Sequence, residues 1–421
     1  MKRTVFLLVA LFLFVFQITQ AAQAQEGLSR GEFAAMLVEA SGMGSDLPPA
    51  DLLVQEGILK GYPDGNLYLE RGVTRVEAAA LAARTLGITE GLGCPFEGDA
   101  ALDEEHWGYT FCSWLSRFGI FEGEPDEMLT EEEGRAFLNR VFSTDPDVTL
   151  ISDKVQENTK AVKTMRAVVD GNMTIIPRPG VEGTEDLQQM DLYMRSVQEW
   201  VLPDNMHQST TIVTDIPGLG RQELSTDMYM VNGRVYQEIP VNIETGETEW
   251  IRYPDGLFDL EQFMNVEEAT EVIPEGLEDC FNSKLLGTRE GEEKVYEIAS
   301  YGRVDDFSKF MEALAGQFDS SMQMSQLFEQ GIAMIDSMSF WSIQYIGVDD
   351  FLTKSAEMFF VVNFAEEFAG VTNPLKALQM RMTVAEYSYN GDLAIELPEE
   401  ALDAPLLEIP ELPAASEQFE Q

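Results

Sequence analysis

The chain has 421 residues, with 27 basic and 74 acidic side chains and a formal net charge of −47. A field of this sign repels nucleic acid and anionic lipid, so the composition excludes a nucleic-acid-binding protein. The 2 histidines and 3 cysteines match no zinc spacing, and no motif indicates a cofactor or a metal. The length exceeds what one hydrophobic core usually accommodates, so we expect more than one domain.

Residues 1–25 have the pattern of an export signal. Lys2 and Arg3 precede an apolar run over residues 5–16, and Ala22-Gln23-Ala24 provides a cleavage site of small residues. The apolar run is shorter than a comfortable transmembrane span, and no later stretch reaches that length. We therefore expect an exported, extracellular protein that has no transmembrane segment after cleavage.

One pattern of capped helix occurs three times in the first third of the chain. A Ser or Thr is followed three residues later by Glu, which is the spacing of a capping box, and apolar residues at helical spacing come next. The pairs are Ser29/Glu32, Thr74/Glu77 and Thr130/Glu133. A tight turn, Gly61-Tyr62-Pro63-Asp64-Gly65, is predicted before the second cap. Such self-similarity predicts stacked repeats: a half repeat at 28–43, one repeat at 46–88 and one at 93–145.

The order of turn, cap and helix resembles the S-layer homology (SLH) repeat, with its GYPDG turn and TRAE motif. Residues 106–111, which include Trp107, resemble the Trp-bearing first helix of such a repeat. The resemblance covers residues 26–146. It implies a three-fold helical bundle that holds exported proteins on the cell wall by binding pyruvylated secondary cell-wall polysaccharide.

Carried onto this sequence, the SLH resemblance implies a polysaccharide-binding site at Arg30, Arg75, Thr74 and Glu77. Arg30 and Arg75 occupy the arginine of TRAE, where a planar guanidinium suits a carboxylate and the adjacent helix N-terminus offers amides. Glu131 occupies that place in the third copy, where a carboxylate would repel an anion, so we expect no site there. The alternative left open is that these caps and arginines are only structural.

The sequence leaves the state of the cysteines open. Cys94 and Cys112 both lie in the third copy, and export permits a disulfide between them. Two buried thiols are the alternative, because the sequence does not give their Cβ separation. Cys280 is expected to be a partly buried thiol, and His106 and His207 are expected to be structural.

After residue 150 the pattern changes from helical to alternating. We expect a helix over 154–169, a strong hairpin at Asn232-Gly233, amphipathic helices over 305–336 and an acidic, disordered tail over 403–421. Predicted strands cover 173–176, 189–197, 209–216, 223–231, 234–239, 247–253, 283–286, 294–300, 338–348, 351–364, 378–389 and a final strand over 390–401. The predicted fold class is α+β: an all-α repeat bundle, then a curved antiparallel half-barrel wrapped around helices over 150–402.

The second half resembles a known type of lipid carrier. Residues 226–236 and the ending Leu397-Pro398-Glu399-Glu400-Ala401 resemble the LolA/LppX-like half-barrels, closest to an uncharacterised branch in Gram-positive exported proteins. The resemblance implies a lipid, lipoprotein or other apolar ligand inside the curved sheet. Methionine adapts to variable shapes, and a dry core is the alternative role for these side chains. The candidate lining residues are Met228, Met230, Met311, Met322, Met334 and Met358.

The chain contains none of the motifs Gly-x-Ser-x-Gly, His-Glu-x-x-His or a phosphate-binding glycine loop. We therefore expect a non-catalytic, wall-attached protein that presents the half-barrel. One alternative is a soluble secreted protein in which degenerate repeats serve only as a structural module. A wall-anchored hydrolase that uses paired carboxylates is less favoured.

Overall fold

The computed structural model describes residues 27–97, 102–181, 189–216, 220–242, 245–255, 281–291, 293–305, 333–368 and 370–407. The chain divides into two compact units, Met1–Ser143 and Thr144–Gln421, which we call the repeat unit and the sheet unit. The export signal, Cys280, Met311 and Met322 lie outside the described residues, as do most of the predicted helices over 305–336 and most of the predicted tail. No helix within the described ranges is long and apolar enough to cross a membrane.

The repeat unit contains five described helices. They are α1 (Arg30–Ser41), α2 (Pro49–Gln55), α3 (Arg75–Thr85), α4 (Tyr109–Arg117) and α5 (Glu131–Val141). All three predicted capping boxes form. The side chains of Ser29, Thr74 and Thr130 each accept a hydrogen bond from the backbone amide three residues later, and the Glu side chain at that later position accepts one from the amide of the cap residue. Local sequence therefore fixes where each copy's main helix begins.

The three copies meet in a closed ring of backbone hydrogen bonds. The amide of Val73 donates to the carbonyl of Leu28 at 2.8 Å, Leu129 donates to Val73 at 3.0 Å, and Leu28 donates to Leu129 at 2.8 Å. Each of these residues directly precedes a cap, and their side chains are buried in one core. The three capped helices therefore start around one shared core.

Packing inside the ring depends on side-chain size at equivalent positions of the three helices. Four residues after each cap the chain has Phe33, Ala78 and Gly134, and all three are buried. A Cβ on Gly134 would lie 2.4 Å from Cδ2 of Leu28, so only glycine fits there without a shift. One large side chain thus fills space that the other two copies leave open.

The Trp-bearing helix of the third copy differs from the expectation. Trp107 precedes α4, and the tryptophan within that helix is Trp114, which is fully buried and donates from Nε1 to the carbonyl of Leu92 at 2.9 Å. Its ring and that of Phe118 both pack against Phe96. A buried indole N–H needs such a partner, which explains why Trp114 belongs to the core while Trp107 remains at the surface.

The sheet unit begins with helix α6 (Pro146–Thr159) and ends with the short helix α7 (Glu399–Leu402). Its described strands are β1 (Thr164–Pro177), β2 (Met190–Val201), β3 (Asn205–Ile216), β4 (Gly220–Val231), β5 (Arg234–Asn242), β6 (Glu247–Arg252), β7 (Phe281–Arg289), β8 (Val295–Val304), β9 (Ile335–Gly347), β10 (Thr353–Phe364), β11 (Glu367–Phe368), β12 (Val371–Thr372) and β13 (Leu375–Tyr389). Eleven of these strands form one curved antiparallel sheet, in the order β6-β5-β4-β3-β2-β1-β13-β10-β9-β8-β7. The sheet has two edges and is not closed, as in the half-barrel that the second resemblance implies, and the α+β class is confirmed.

Two predicted elements of the sheet unit are wrong. The helix expected over 154–169 ends at Thr159, and Val168 and Val169 belong to β1, where they pair with both β2 and β13. The strand expected over 390–401 does not form, since β13 ends at Tyr389, Asn390 has a φ of 56°, and α7 follows Pro398. Over 154–169 the apolar pattern was compatible with a helix or a strand, and the long-range pairing with β2 and β13 decided for the strand.

One helix covers part of the sheet. Val148, Ile151 and Val155 of α6 pack in one cluster with Ile298 of β8 and Ile346 of β9. Pro146 occupies the first turn of α6, where proline is well tolerated, so this helix starts earlier than the sequence pattern predicted. That the sheet wraps around further helices stays a prediction, because their segment lies outside the described residues.

Candidate functional site

A cavity of about 640 Å³ opens on the repeat unit where residues of all three copies meet. Four cationic and three anionic side chains line it, so it carries one positive charge in excess within a protein whose formal net charge is −47. We call it the arginine groove. Its lining residues are Arg30, Lys60, Gly61, Tyr62, Pro63, Arg71, Gly72, Thr74, Val76, Glu77, Ala80, Leu81, Arg84, Glu90, Trp107, Asp126 and Met128.

Arg30 lies in the wall of the groove, but its side chain is engaged within the protein. Its Nη1 donates to Oε1 of Glu77 at 2.9 Å, while Nε and Nη2 donate to the carbonyls of Leu67 and Lys60. The guanidinium also stacks 4.8 Å from the ring centroid of Tyr62. Only 6% of Arg30 is exposed, so this predicted ligand-binding residue joins the first copy to the second.

Glu77 is the centre of that junction. Its carboxylate accepts hydrogen bonds from Arg30, from the hydroxyl of Tyr62 and from the amide of Thr74. Three donors leave this carboxylate with little capacity for a further partner. Thr74 and Glu77 therefore line the groove mainly as a cap that also orients Arg30 and Tyr62.

Arg75 does not line the groove. Its Nη2 donates to Glu133 at 2.6 Å and its Nε donates to Glu127 at 3.1 Å. Although burial acts to lower the pKa of Arg75, hydrogen bonds from this guanidinium to Glu127 and Glu133 raise it. Two carboxylates thus compensate the charge of Arg75, and the structure does not bring Arg75 together with Arg30, Thr74 and Glu77.

The amides at the starts of α1 and α3 are already used. The amides of Arg30 and Gly31 donate to the carbonyls of Arg71 and Leu69, and those of Arg75 and Val76 donate to Glu127 and Pro125. The amides three residues after the caps donate to the cap hydroxyls. These first-turn amides are therefore committed to a neighbouring copy or to their own cap, contrary to our expectation that they would receive an anion.

Arg71 is a groove residue that the sequence reading did not select. It is exposed, and within the described residues it makes no ion pair. Its guanidinium carbon lies 5.1 Å from the ring centroid of Tyr62 and 5.4 Å from that of Tyr68. The signal that could have found it is a comparison of the copies, because the equivalent residue before the third cap is Glu127.

The other two cations of the groove share one carboxylate. Lys60 and Arg84 each lie 2.7 Å from Glu90. Burial alone would raise the pKa of Glu90, but hydrogen bonds from Lys60, its own backbone and Arg84 lower it to about 2. Trp107 also lines the groove and is 55% exposed, an uncommon setting for an indole and one suited to packing against a sugar ring.

Cys94 and Cys112, whose state the sequence left open, do not form a disulfide with each other. Cys94 is half-buried with its Sγ 3.8 Å from the carbonyl of Phe96, whereas Cys112 is buried in α4. Burial raises the pKa of Cys112 to about 12, so its thiol stays protonated. The structure corresponds to the alternative of two thiols, one of them only partly buried.

The four described methionines of the predicted apolar pocket do not all belong to one hydrophobic cluster. Met230 is 2% exposed and packs with Met206 and Val235, a cluster against which Met228 also lies. Met358 belongs to a different cluster, and Met334 precedes β9. None of them lines the cavity of about 400 Å³ at the ends of β1 to β4. The described contacts of Met228, Met230 and Met358 are those of packing.

The histidines have ordinary protein partners. His207 lies 2.8 Å from Asp227 and 3.4 Å from Glu199, and its ring stacks on Tyr229. His106 accepts from the amide of Gly108 at 3.1 Å. Among the residues that the structure describes, no group of three or more His, Cys, Asp or Glu side chains is arranged to hold a metal ion.

Comparison with known families adds to this geometry. Residues 147–405, more than half of the chain, match the profile of a family of unknown function, DUF6612. The chain belongs to the DUF6612 family. Residues 46–79 of this DUF6612 protein match the S-layer homology domain, which confirms the resemblance drawn from the turn and the cap of the second copy.

Individual relatives are more distant. The DUF6612 chain is 36% identical to Cell surface glycoprotein 1 of Acetivibrio thermocellus over 83 residues. This aligned stretch makes up 20% of this chain and 4% of that protein. Among solved structures, that of a DUF1329 family protein from Desulfovibrio piger superposes with a TM-score of 0.20 at 10% sequence identity. The match covers 60% of this chain and 96% of the D. piger chain. The structure of a beta-barrel-like DUF1849 protein from Brucella abortus, also at 10% identity, has a TM-score of 0.13. That match covers 55% of this chain and 99% of the B. abortus chain. At these TM-scores neither solved structure bears on function.

Proposed function

We propose that the repeat unit attaches this exported protein to the cell wall, and that the arginine groove binds an acidic wall polysaccharide. The observation that carries the proposal is the groove itself. It concentrates four cationic side chains and an exposed tryptophan in one cavity of a strongly acidic protein. Such a local reversal of charge attracts an anion that the rest of the surface repels.

Two comparisons support attachment to the cell wall. The second copy matches the S-layer homology domain, and the curated relative is a cell surface glycoprotein. The family resemblance names pyruvylated polysaccharide as the ligand, and a carboxylate-bearing sugar suits both the guanidinium groups and the aromatic ring of the groove. Arg30, Thr74 and Glu77 contribute as its wall, and we give Arg75 no ligand contact.

The proposed role is binding, with the sheet unit presented at the cell surface and no catalytic step. The sheet unit remains without an assigned ligand in this proposal. Met230 and Met228 pack with their neighbours, which favours a core role over a lipid-lined pocket. The alternative in which the repeats only pack and bind no polymer predicts a protein that stays in solution.

Co-sedimentation with purified Gram-positive wall sacculi tests the proposal. We expect the exported chain to pellet with sacculi that carry their secondary polysaccharide and to stay in solution with sacculi stripped of it by hydrofluoric acid. Binding should weaken with added salt, because the attraction is between charges that water reaches. Equal pelleting with stripped and intact sacculi, or no pelleting with either, would contradict wall attachment through this polymer.

A further inference from the structure

We propose that Arg71, and not the arginines that follow the caps, binds the acidic group of the wall polymer. The proposal rests on the function proposed above and names the residue that carries it. The relevant acidic group is a carboxylate or a phosphate, since a guanidinium fork pairs with either.

The first argument is availability. Arg30 is held by Glu77 and two carbonyls, and Lys60 and Arg84 share Glu90. Arg71 is the lining cation that makes no ion pair within the described part of the chain, and its side chain is exposed. An incoming anion can therefore bond to Arg71 without breaking an existing pair.

The second argument is that Arg71 is held in place before a ligand arrives. Its amide donates to the carbonyl of Tyr68 at 3.0 Å, and its own carbonyl accepts from Arg30 at 2.8 Å. Its guanidinium lies against the rings of Tyr62 and Tyr68. Tyr68 has a φ of 46°, which is costly for an aromatic residue, and its hydroxyl donates to Asp64. A fixed guanidinium loses less side-chain entropy when it binds.

The third argument comes from the next junction of the ring, where the same position has the opposite charge. The carbonyl of Glu127 accepts from the amide of Arg75 at 2.9 Å, just as the carbonyl of Arg71 accepts from Arg30, so the two positions are structurally equivalent. The Glu127 carboxylate, which is 58% exposed, then pairs with Arg75 of the same chain. In the turn of the third copy, Glu122 and Glu124 occupy the positions that Lys60 and Tyr62 have in the second copy.

The charge reversal makes the junction between the second and third copies unfavourable for an anion. Three carboxylates replace two cations and a tyrosine, and Arg75 is compensated by Glu127 and Glu133. An anionic ligand at this junction would be repelled by these carboxylates. Among the described residues of the two junctions that contain an arginine after the cap, only the junction beside Arg71 has a cation that makes no ion pair, and we infer one polymer site at these two junctions.

The test compares Arg71→Ala with the matched control Arg75→Ala in the exported full-length chain, using intact sacculi as the probe. Arg71→Ala should weaken binding roughly 10- to 100-fold, the usual loss when a hydrogen-bonded charge pair is removed. Arg71→Glu, which copies the third repeat, should abolish binding, and Arg75→Ala should change it less than twofold. Far-UV circular dichroism of each variant checks that the helices persist.

The outcomes separate the two proposals. Wild-type binding that Arg71→Ala leaves unchanged would overturn the role of Arg71 while wall attachment stands, and so would a larger loss in Arg75→Ala. Absence of wild-type binding would overturn both. Sacculi whose carboxylates have been amidated with carbodiimide and ethanolamine identify the group: loss of binding assigns a carboxylate, and retained binding assigns a phosphate.

Discussion

Replacing Glu77 by alanine is expected to destabilise the repeat unit by about 3 kcal/mol. The side chains of Glu77 and Arg30 are 12% and 7% exposed, so the substitution leaves a nearly buried guanidinium without its counter-charge. Breaking such a pair costs several kcal/mol in a fully buried site and somewhat less where water has partial access. The cap bond to the amide of Thr74 and the bond from Tyr62 are lost as well.

Glu133→Ala is the matched control, because Glu133 has the same place in the third capping box and also pairs with an arginine. Its side chain is 39% exposed, and Arg75 keeps Glu127 when Glu133 is removed. We expect a loss of about 1 kcal/mol, close to that of a cap alone.

Urea unfolding followed by circular dichroism at 222 nm measures the difference. With an m value of about 2 kcal/mol per M, Glu77→Ala should lower the midpoint by about 1.5 M and the control by about 0.5 M. Equal shifts for the two variants would refute the idea that burial of the Arg30–Glu77 pair makes the first junction the stronger one.

Four further predictions follow from the same contacts. Since the folded-state pKa of Glu90 is about 2 against a reference value of 4.5, its stabilising effect is present above pH 4.5 and is lost as the pH falls towards 2. Glu90 is 49% exposed, so the stability difference between wild type and Glu90→Gln should be only about 1 kcal/mol at pH 6 and should vanish near pH 2 in urea titrations. A Cβ on Gly108 would lie 2.2 Å from Cγ2 of Val76, so Gly108→Ala should cost about 1–3 kcal/mol, and adding Val76→Ala should recover part of it in a double-mutant cycle. Burial raises the pKa of Cys112 to about 12, so peptide mass mapping should find it unalkylated at pH 8 in the native protein and alkylated in urea, whereas alkylation in the native protein would contradict its burial. Met230 is 2% exposed, so Met230→Ala should cost about 2–5 kcal/mol by thermal unfolding, and a near-zero change would favour a pocket over a core.

The parts of the fold that local chemistry determines could be predicted from the sequence. Capping boxes depend on residues three apart, and the Asn232-Gly233 turn joins β4 to β5 as expected. The error over residues 154–169 has a different origin. Valine and methionine at those positions fit a helix face or a strand, and the choice depends on pairing with β13, more than 200 residues away.

The site was harder to predict than the fold, because its determinants are pairs between copies. Arg30 pairs with Glu77, which lies 47 residues later in the sequence, and Arg75 pairs with Glu133, which lies 58 residues later. No local pattern shows that these arginines already have partners. Arg71 belongs to no motif of the repeat, so matching motifs passes over it. Aligning the copies by charge would have marked it, since Arg71 and Glu127 occupy one structural position.

The most direct measurement of the central claim is an isothermal titration of the exported chain with polysaccharide released from wall sacculi. We expect saturable heat that corresponds to one site per chain and that diminishes as salt screens the charges of the arginine groove. Absence of saturable heat, or binding that salt leaves unchanged, would contradict a groove that recognises an acidic wall polymer.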